Sequence, residues 1–214
     1  MKYEAVNESV ISYIPNTAQR ILDIGCGTGD LGRTIKSKIN CEIIGITYSQ
    51  LEANHAASYL NQVLVRDLNS FEPYKLGKFD CIICSHILEH LYQPEELLTK
   101  LHECLYPHGV LIIALPNTLH YKQRLEFLKG NFKYTDGGLM DKTHFRFFDW
   151  DTAFDLVNNS GFQIILRYAD GYLPMPLIRK FTFINPLVSH LDKLASAVMP
   201  ELFGVQFIIV AKSS

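Results

Sequence analysis

The sequence predicts an α/β fold, a mainly parallel sheet covered by helices on both faces, and three observations predict it. Short apolar runs alternate with helix-period stretches through most of the 214 residues, and strands that are apolar throughout are what burial of both sheet faces demands. One such run, residues 20–24, leads directly into glycines at 25, 27 and 29 and then into a helical pattern, the order that builds a ligand site at a strand's carboxyl end. With 48% apolar and 20% charged residues, the chain can bury the core of one domain, so residues 1–214 are read as a single domain with insertions.

Taken in order, a helix over 4–14 precedes a strand at Arg20–Ile24, and a helix over 29–38 follows the glycines. A strand at Glu42–Thr47, a helix over 49–59 and a strand at Gln62–Arg66 continue the βα rhythm. Phe79–Cys84 and Val110–Leu115 read as buried strands on either side of a helix over 94–106. Asp149 can cap a helix over 150–160, with Asp151 in its first turn complementing the dipole. The last strands, Phe162–Tyr168 and Val205–Ala211, have no short parallel crossover between them and can pair as an antiparallel hairpin with a long excursion. Two stretches break the rhythm. Residues 117–143 carry Tyr121, Phe127, Phe132 and Tyr134 with a Gly137-Gly138 joint, and would overhang a crevice at the fifth strand's exit. Residues 171–203 carry Leu173, Met175, Leu177, Ile178, Phe181 and Phe183. Both are expected to act as lids over a substrate pocket, the second alternatively as a homodimer or membrane-surface contact.

A formal charge of −2 gives no electrostatic case for a nucleic-acid partner. The first residues lack an apolar signal core, and the longest apolar runs, such as 110–115, are strand-length rather than membrane-spanning. A soluble cytoplasmic protein is expected. Five cysteines scattered through apolar segments argue for reduced, buried thiols. The C-x-x-C of Cys81 and Cys84 falls within a buried strand, where residues three apart face opposite sides of the sheet, which disfavours redox or zinc use.

The glycine loop carries the most chemistry. Glycine at 25, 27 and 29 permits positive φ and lets a ligand lie against bare backbone. A dinucleotide fingerprint needs a glycine where Asp30 stands, and a phosphate-binding loop needs a lysine where Arg33 stands; Asp30 would repel a phosphate in either case. A cationic, ribose-bearing ligand suits these charges better. The segment Asp23-Ile-Gly-Cys-Gly-Thr-Gly29 resembles motif I of class I S-adenosylmethionine-dependent methyltransferases.

That resemblance covers nearly the whole chain and implies a Rossmann-like methyltransferase fold, a seven-stranded sheet with the last strand antiparallel. It implies S-adenosylmethionine as cofactor and S-adenosylhomocysteine as product, held by Asp23, Gly25, Cys26, Gly27 and Gly29. After the second strand the family's ribose-binding acid is missing; Gly45-Ile-Thr-Tyr-Ser49 resembles cyclopropane fatty-acid synthases, which place threonine there and recruit a polar residue one turn on. Thr47, Tyr48 and, as the substitute, Glu52 follow by position, Glu52 being otherwise a solvated helix-face carboxylate. Asp67 matches the adenine-contacting aspartate, with Leu68 beside it, and Ser85 opens the post-strand motif that lines the methyl-transfer crevice.

Methyl transfer from a sulfonium is an in-line displacement, so the protein must align the acceptor and, for a hydroxyl, take up its proton. His86, Glu89 and His90 after the fourth strand, and His144 in Asp141-Lys-Thr-His-Phe-Arg-Phe-Phe148, are placed to reach the crevice. His144 is the expected general base, with His90 and Glu89 beside it; the alternative is that these groups only hold the inserted loop. The H-x-x-E-H spelling of residues 86–90 also matches an inverted zinc-protease motif, which would need a different fold. Relatives with E-x-x-E-H at this place bind a divalent metal, so His86, Glu89, His90 and His144 are also a possible but unfavoured cation set. The expected function is O-methylation of a small molecule. A catalytically silent cofactor-binding module that regulates a partner, and an RNA methyltransferase, are the alternatives.

Overall fold

The computed structural model describes residues 6–175 and 185–213. Among them one seven-stranded sheet has the order β3-β2-β1-β4-β5-β7-β6. Its strands are β1 (Arg20–Ile24), β2 (Glu42–Thr47), β3 (Gln62–Val65), β4 (Phe79–Ser85), β5 (Leu105–Pro116), β6 (Phe162–Gly171) and β7 (Gly204–Ser213). The pairings from β3 through β5 are parallel, and β7 runs antiparallel to both β5 and β6. Strand order reverses between β1 and β4, which opens a crevice outside their carboxyl ends.

The helices are α1 (Glu8–Ile11), α2 (Asp30–Lys38), α3 (Gln50–Ala56), α4 (Pro94–His102), α5 (Tyr121–Leu128), α6 (Trp150–Asn159), α7 (Asn185–Val198) and α8 (Pro200–Phe203). Two apolar layers sandwich the sheet. Leu22, Ile24, Ile82, Cys84 and Leu111 join α4 and α6 on one face, while Ile21, Ile43, Cys81, Ile83 and Ile112 join α1 and α2 on the other. Cys81 and Cys84 therefore lie on opposite faces, as strand alternation requires, and all five cysteines are buried and unpaired.

The elements depart from expectation where long-range pairing overrides local pattern. The helix expected over 94–106 stops at His102, because Leu105 is drawn into register with Phe79 and lengthens β5 toward its start. The first helix is confined to residues 8–11, and positions 4 and 5 of the expected span lie outside the described residues. The helix after β2 ends at Ala56 rather than 59, and β3 ends at Val65, one residue early. Helix α5 arises inside the first inserted stretch without burying any residue, so no apolar stripe announced it. Of the second stretch, residues 176–184, including Leu177, Ile178, Phe181 and Phe183, lie outside the described residues. The cap at Asp149 forms as a reciprocal box: its carboxylate accepts from Thr152 N at 2.8 Å, and Thr152 Oγ1 accepts from Asp149 N at 2.9 Å. No helix among the described residues is long and apolar enough to cross a membrane.

Candidate active site

A cavity of about 1050 Å³ opens at the carboxyl ends of β1 and β4, with Pro116 at the end of β5 and Gln206 at the start of β7 on its far side. Its floor is the glycine loop. Gly25, Gly27 and Gly29 have φ of 79°, 52° and 83°, the left-handed region that favours glycine. The backbone N–H groups of Gly25 and Cys26 both donate to Ile46 O at 2.9 Å, pinning the loop to the end of β2. A Cβ on Gly25 would meet Ile87 at 2.7 Å, so the position is closed to larger residues as well as strained for them.

β1 delivers Asp23 into this loop with only 2% of its surface exposed. Its Oδ2 has no hydrogen-bond partner, and burial pushes its carboxyl up to about 7. A buried acceptor left unsatisfied costs free energy until a donor or cation meets it. Asp30 opens α2, accepts from Thr28 Oγ1 at 2.7 Å and pairs with Arg33 at 2.8 Å. A carboxylate thus stands where a polyphosphate would need bare N–H groups. Orphaned acid and exposed backbone together fit the cationic cofactor that the loop sequence implies. Cys26 lines the cavity too, its thiol raised well above the ordinary range by burial and by Asp23 and Glu52, hence inert.

At the end of β2, buried Thr47 donates its hydroxyl to Glu52 Oε2 at 2.5 Å, and the Ser49 cap that starts α3 brings Glu52 into reach. Thr47, Tyr48, Asp67 and Leu68 lie on the same carboxyl edge but do not line the cavity. The side chains at two of these positions point away from the edge. Tyr48 is 80% exposed, because the residue after buried Thr47 points to the opposite side. Leu68 turns its side chain into the core, leaving only backbone for a ligand. Asp67 Oδ1 accepts from both the backbone and side-chain N–H of Asn69 at 3.0 Å.

Ser85, His86, Glu89, His90 and His144 line the cavity opposite the loop. His86 has φ of 52°, uncommon outside glycine and characteristic of strained functional positions. Its Nε2 lies 2.8 Å from Gln206 Oε1 and its Nδ1 3.5 Å from Glu89 Oε1. Glu89 is 1% exposed, and its Oε2 has no partner. The Glu89 carbonyl accepts from Phe145 N at 2.8 Å and Arg146 N at 3.1 Å, while Tyr92 O accepts from Arg146 Nη2 at 2.7 Å. These bonds clasp the returning end of the first insertion onto the 86–92 segment. His144 consequently sits with its ring centroid 4.7 Å from that of His90, edge to face. One ligand-capable atom from each of Glu89, His90 and His144 lies within 4.8 Å of the others. The sequence brought His86 into a possible cation set with them; the geometry instead turns it toward Gln206 and Glu89.

The insertions divide their roles. Asp136, Gly137, Gly138, Leu139 and Asp141 of the first one or its edge line the cavity, whereas no described residue of 171–203 does. Sequence reasoning missed Asn7, Ser9, Asp170 and Gln206, which form the far wall. Nothing local marks them: β7 is antiparallel, so its first residues reach the carboxyl edge where the parallel strands end.

Comparison with known proteins agrees with this geometry. The sequence profile of the methyltransferase domain family matches residues 4–166. An uncharacterized protein of Methanocaldococcus jannaschii is 24% identical over 83% of this chain and 76% of its own length. The ubiquinone biosynthesis O-methyltransferase of Rickettsia canadensis is 24% identical over 77% of this chain and 71% of its own. A crystal structure of an S-adenosylmethionine-dependent methyltransferase from Archaeoglobus fulgidus superposes with a TM-score of 0.66 at 21% identity, over 96% of this chain and 92% of that one. Magnesium protoporphyrin IX methyltransferase from Synechocystis, crystallised with S-adenosylhomocysteine, gives 0.63 at 16% identity over 97% and 81%. With its glycine loop, buried acid and sheet order all in place, the chain belongs to the methyltransferase domain family and is an S-adenosylmethionine-dependent methyltransferase.

Proposed function

We propose that this enzyme methylates a hydroxyl of a small-molecule acceptor by direct displacement, with His144 as general base. The observation that carries the reading is the convergence of His144, His90 and Glu89 on the wall facing the glycine loop. Relatives named for O-methylation support it: the ubiquinone enzyme above, and the tocopherol O-methyltransferase of Arabidopsis thaliana, 29% identical over 45% of this chain.

The bound cofactor supplies an electrophilic methyl on sulfur, with a neutral thioether to leave. Asp23 would offer its unpaired Oδ2 to the ammonium of the cofactor's amino-acid portion, and Thr47 with Glu52 would offer a carboxylate to the ribose. Asp67 would accept from the adenine amino group. His144 Nδ1 lies 3.3 Å from Leu139 O, so Nδ1 carries the hydrogen and Nε2 keeps its lone pair. Burial holds the His144 pKa below the ordinary imidazole value, so the ring is neutral at pH 7 and ready to accept the acceptor's proton. His90, with Nδ1 3.1 Å from Thr143 O, stands beside it, and Glu89 Oε2 offers a second acceptor. The first insertion closes the site against water.

Glu52→Ala is expected to weaken S-adenosylhomocysteine binding about tenfold, the loss of a charge-assisted hydrogen bond. The 2′-deoxy analogue should lose the same factor on the native enzyme and little on the variant; equal losses on both would remove Glu52 from the ribose site.

A metal-assisted variant of this reading is favoured by the Glu89, His90 and His144 cluster, a donor set that suits zinc or another borderline cation. The decisive experiment measures methyl transfer from labelled cofactor to small phenols and sugars, before and after chelation. Transfer that survives chelation supports base catalysis by His144; transfer lost with the metal and restored by it supports the cluster. Cofactor binding with no transfer to any acceptor, plus a stable protein partner, would favour a silent regulatory module. The reading places the enzyme in the cytoplasm, consistent with its unpaired cysteines. It includes a homodimer through residues 171–203: α7 exposes Leu187, Leu191, Leu194 and Val198 at the four-three-four spacing of a helix seam. Sedimentation should show a dimer that Leu191→Glu converts to monomer, and a native monomer would remove it.

A further inference from the structure

We propose that the crevice selects an acceptor rich in hydrogen-bond donors and without negative charge, a polyol, phenol or amine rather than a phosphate or carboxylate, and that Asp170 is the residue that sets this preference. The inference rests on the methyl-transfer reading of the same site and names the substrate class it takes.

The first ground is a count of donors in the far wall. Asn7 Nδ2 donates to Gln206 Oε1 at 2.8 Å and to Ser85 Oγ at 3.4 Å. Gln206 Nε2 donates to Asp170 Oδ2 at 3.0 Å and to Asn7 Oδ1 at 3.3 Å. A carboxylate only accepts, so the Gln206 amide cannot be flipped, and its Oε1 must take the hydrogen of His86 Nε2 at 2.8 Å. Ser9 Oγ gives its hydrogen to Asp170 Oδ2 at 2.6 Å. Each of these side-chain donors is thus already engaged within the wall. What the wall still offers is the single Ser85 hydroxyl hydrogen and, for the rest, acceptor capacity, above all Asp170 Oδ1.

The second ground is a separate atom at the other end of that network, beyond the His86 contact with Glu89 Oε1. Glu89 lies at the reacting end of the same crevice, nine-tenths and more buried, with Oε2 unpartnered. A buried carboxylate oxygen in that state requires a donor from whatever fills the space.

Charge completes the argument. Among the described residues, every ionisable side chain lining the crevice apart from histidines is a carboxylate or the inert Cys26 thiol, and none is a lysine or arginine. The acids at the rim have cations of their own: Glu8 pairs with Lys38, Asp30 with Arg33 and Asp136 with Lys142. Among the described residues Asp23, Glu89, Asp141 and Asp170 have no lysine or arginine ion pair, and Asp23 is committed to the cofactor. An anionic group entering here would meet like charge with no described lysine or arginine to balance it in a partly desolvated space, whereas hydroxyl or ammonium hydrogens would find Glu89 Oε2 at one end and Asp170 Oδ1 at the other.

The test uses matched probes that differ in charge at constant scaffold: dopamine, 4-methylcatechol and 3,4-dihydroxybenzoate, and likewise glucosamine, methyl glucoside and glucuronate. Binding to the enzyme saturated with S-adenosylhomocysteine is measured by ligand-observed NMR, and turnover by product formation from the labelled cofactor. Within a scaffold, the cationic and neutral members should bind at least about tenfold tighter than the anionic one. Asp170→Asn should cut the cationic-over-anionic ratio by about tenfold while S-adenosylhomocysteine affinity stays unchanged, which a merely structural role would not do. Equal or reversed preference overturns the proposal, as does failure of every probe in both scaffolds to bind. Failure of S-adenosylhomocysteine itself to bind would instead strike the methyl-transfer reading of the site.

Discussion

Asp23→Asn is expected to reduce affinity for S-adenosylmethionine by about 10²–10³-fold, the cost of removing one partner of a desolvated charge interaction, while making the unliganded enzyme more stable above neutral pH. The two effects have opposite signs for one reason. The carboxyl is pushed up to about 7 by burial in the folded protein, against an ordinary value of 3.8. Between those values the unfolded chain ionises and the folded one does not, so folded stability falls as pH rises through that window. Above about pH 7 both states are ionised and the penalty is complete, on the order of 4 kcal/mol at 1.36 kcal/mol per unit. A cationic ligand pairs with the ionised form, so its binding releases a proton near neutrality and tightens as pH rises toward 8. Calorimetry in buffers of different ionisation enthalpy counts that proton, and scanning calorimetry at pH 5 and pH 8 compares native and variant stability. Pairing of Asp23 with the cofactor would be refuted by a variant that binds it normally at pH 8. Its desolvation would be refuted by equal stability of variant and native enzyme there.

His144→Ala is expected to lower kcat by about 10²–10³-fold, within the usual contribution of a positioned general base, with S-adenosylhomocysteine affinity unchanged. Because burial holds the His144 pKa below the ordinary imidazole value, native kcat at saturating cofactor should fall only as pH drops beneath that ordinary value and should be flat above it, until other groups titrate. In the variant that acid limb should vanish. His144→Gln keeps a hydrogen bond to Leu139 O but has no basic nitrogen, so it separates catalysis from loop support. Full activity in His144→Gln would assign the residue to holding the insertion and would move the base to His90 or Glu89, whose unpaired Oε2 lies in the same cluster.

How far the site could be read from the chain depends on how local each part is. The run from Arg20 to Asp30 specifies a strand, a positive-φ loop and a helix start from neighbouring residues, and the glycines adopt the conformations their identity permits. Buried strands are legible because Ile21, Ile43, Ile82 and Ile112 need cover on both faces, and the Asp149 cap because its partner Thr152 is three residues away. The directions of the Tyr48 and Leu68 side chains were not legible, because matching a position to a family pattern does not say which way a side chain leaves the backbone.

Residues alone thus determined the α/β class and the glycine loop with its acid, and set a carboxylate where a phosphate would need bare N–H groups, all consequences of short-range sterics and charge. Tertiary structure decided the far wall. Gln206 reaches His86 across 120 positions only because β7 enters the sheet antiparallel beside β5, and Asp170 and Asn7 join it only when β6 and α1 are docked. His144 meets His90 because two backbone N–H groups of the returning insertion find the Glu89 carbonyl. Such pairings depend on closing long loops onto a completed sheet edge, and no local pattern of apolar residues or turns encodes where that edge will be.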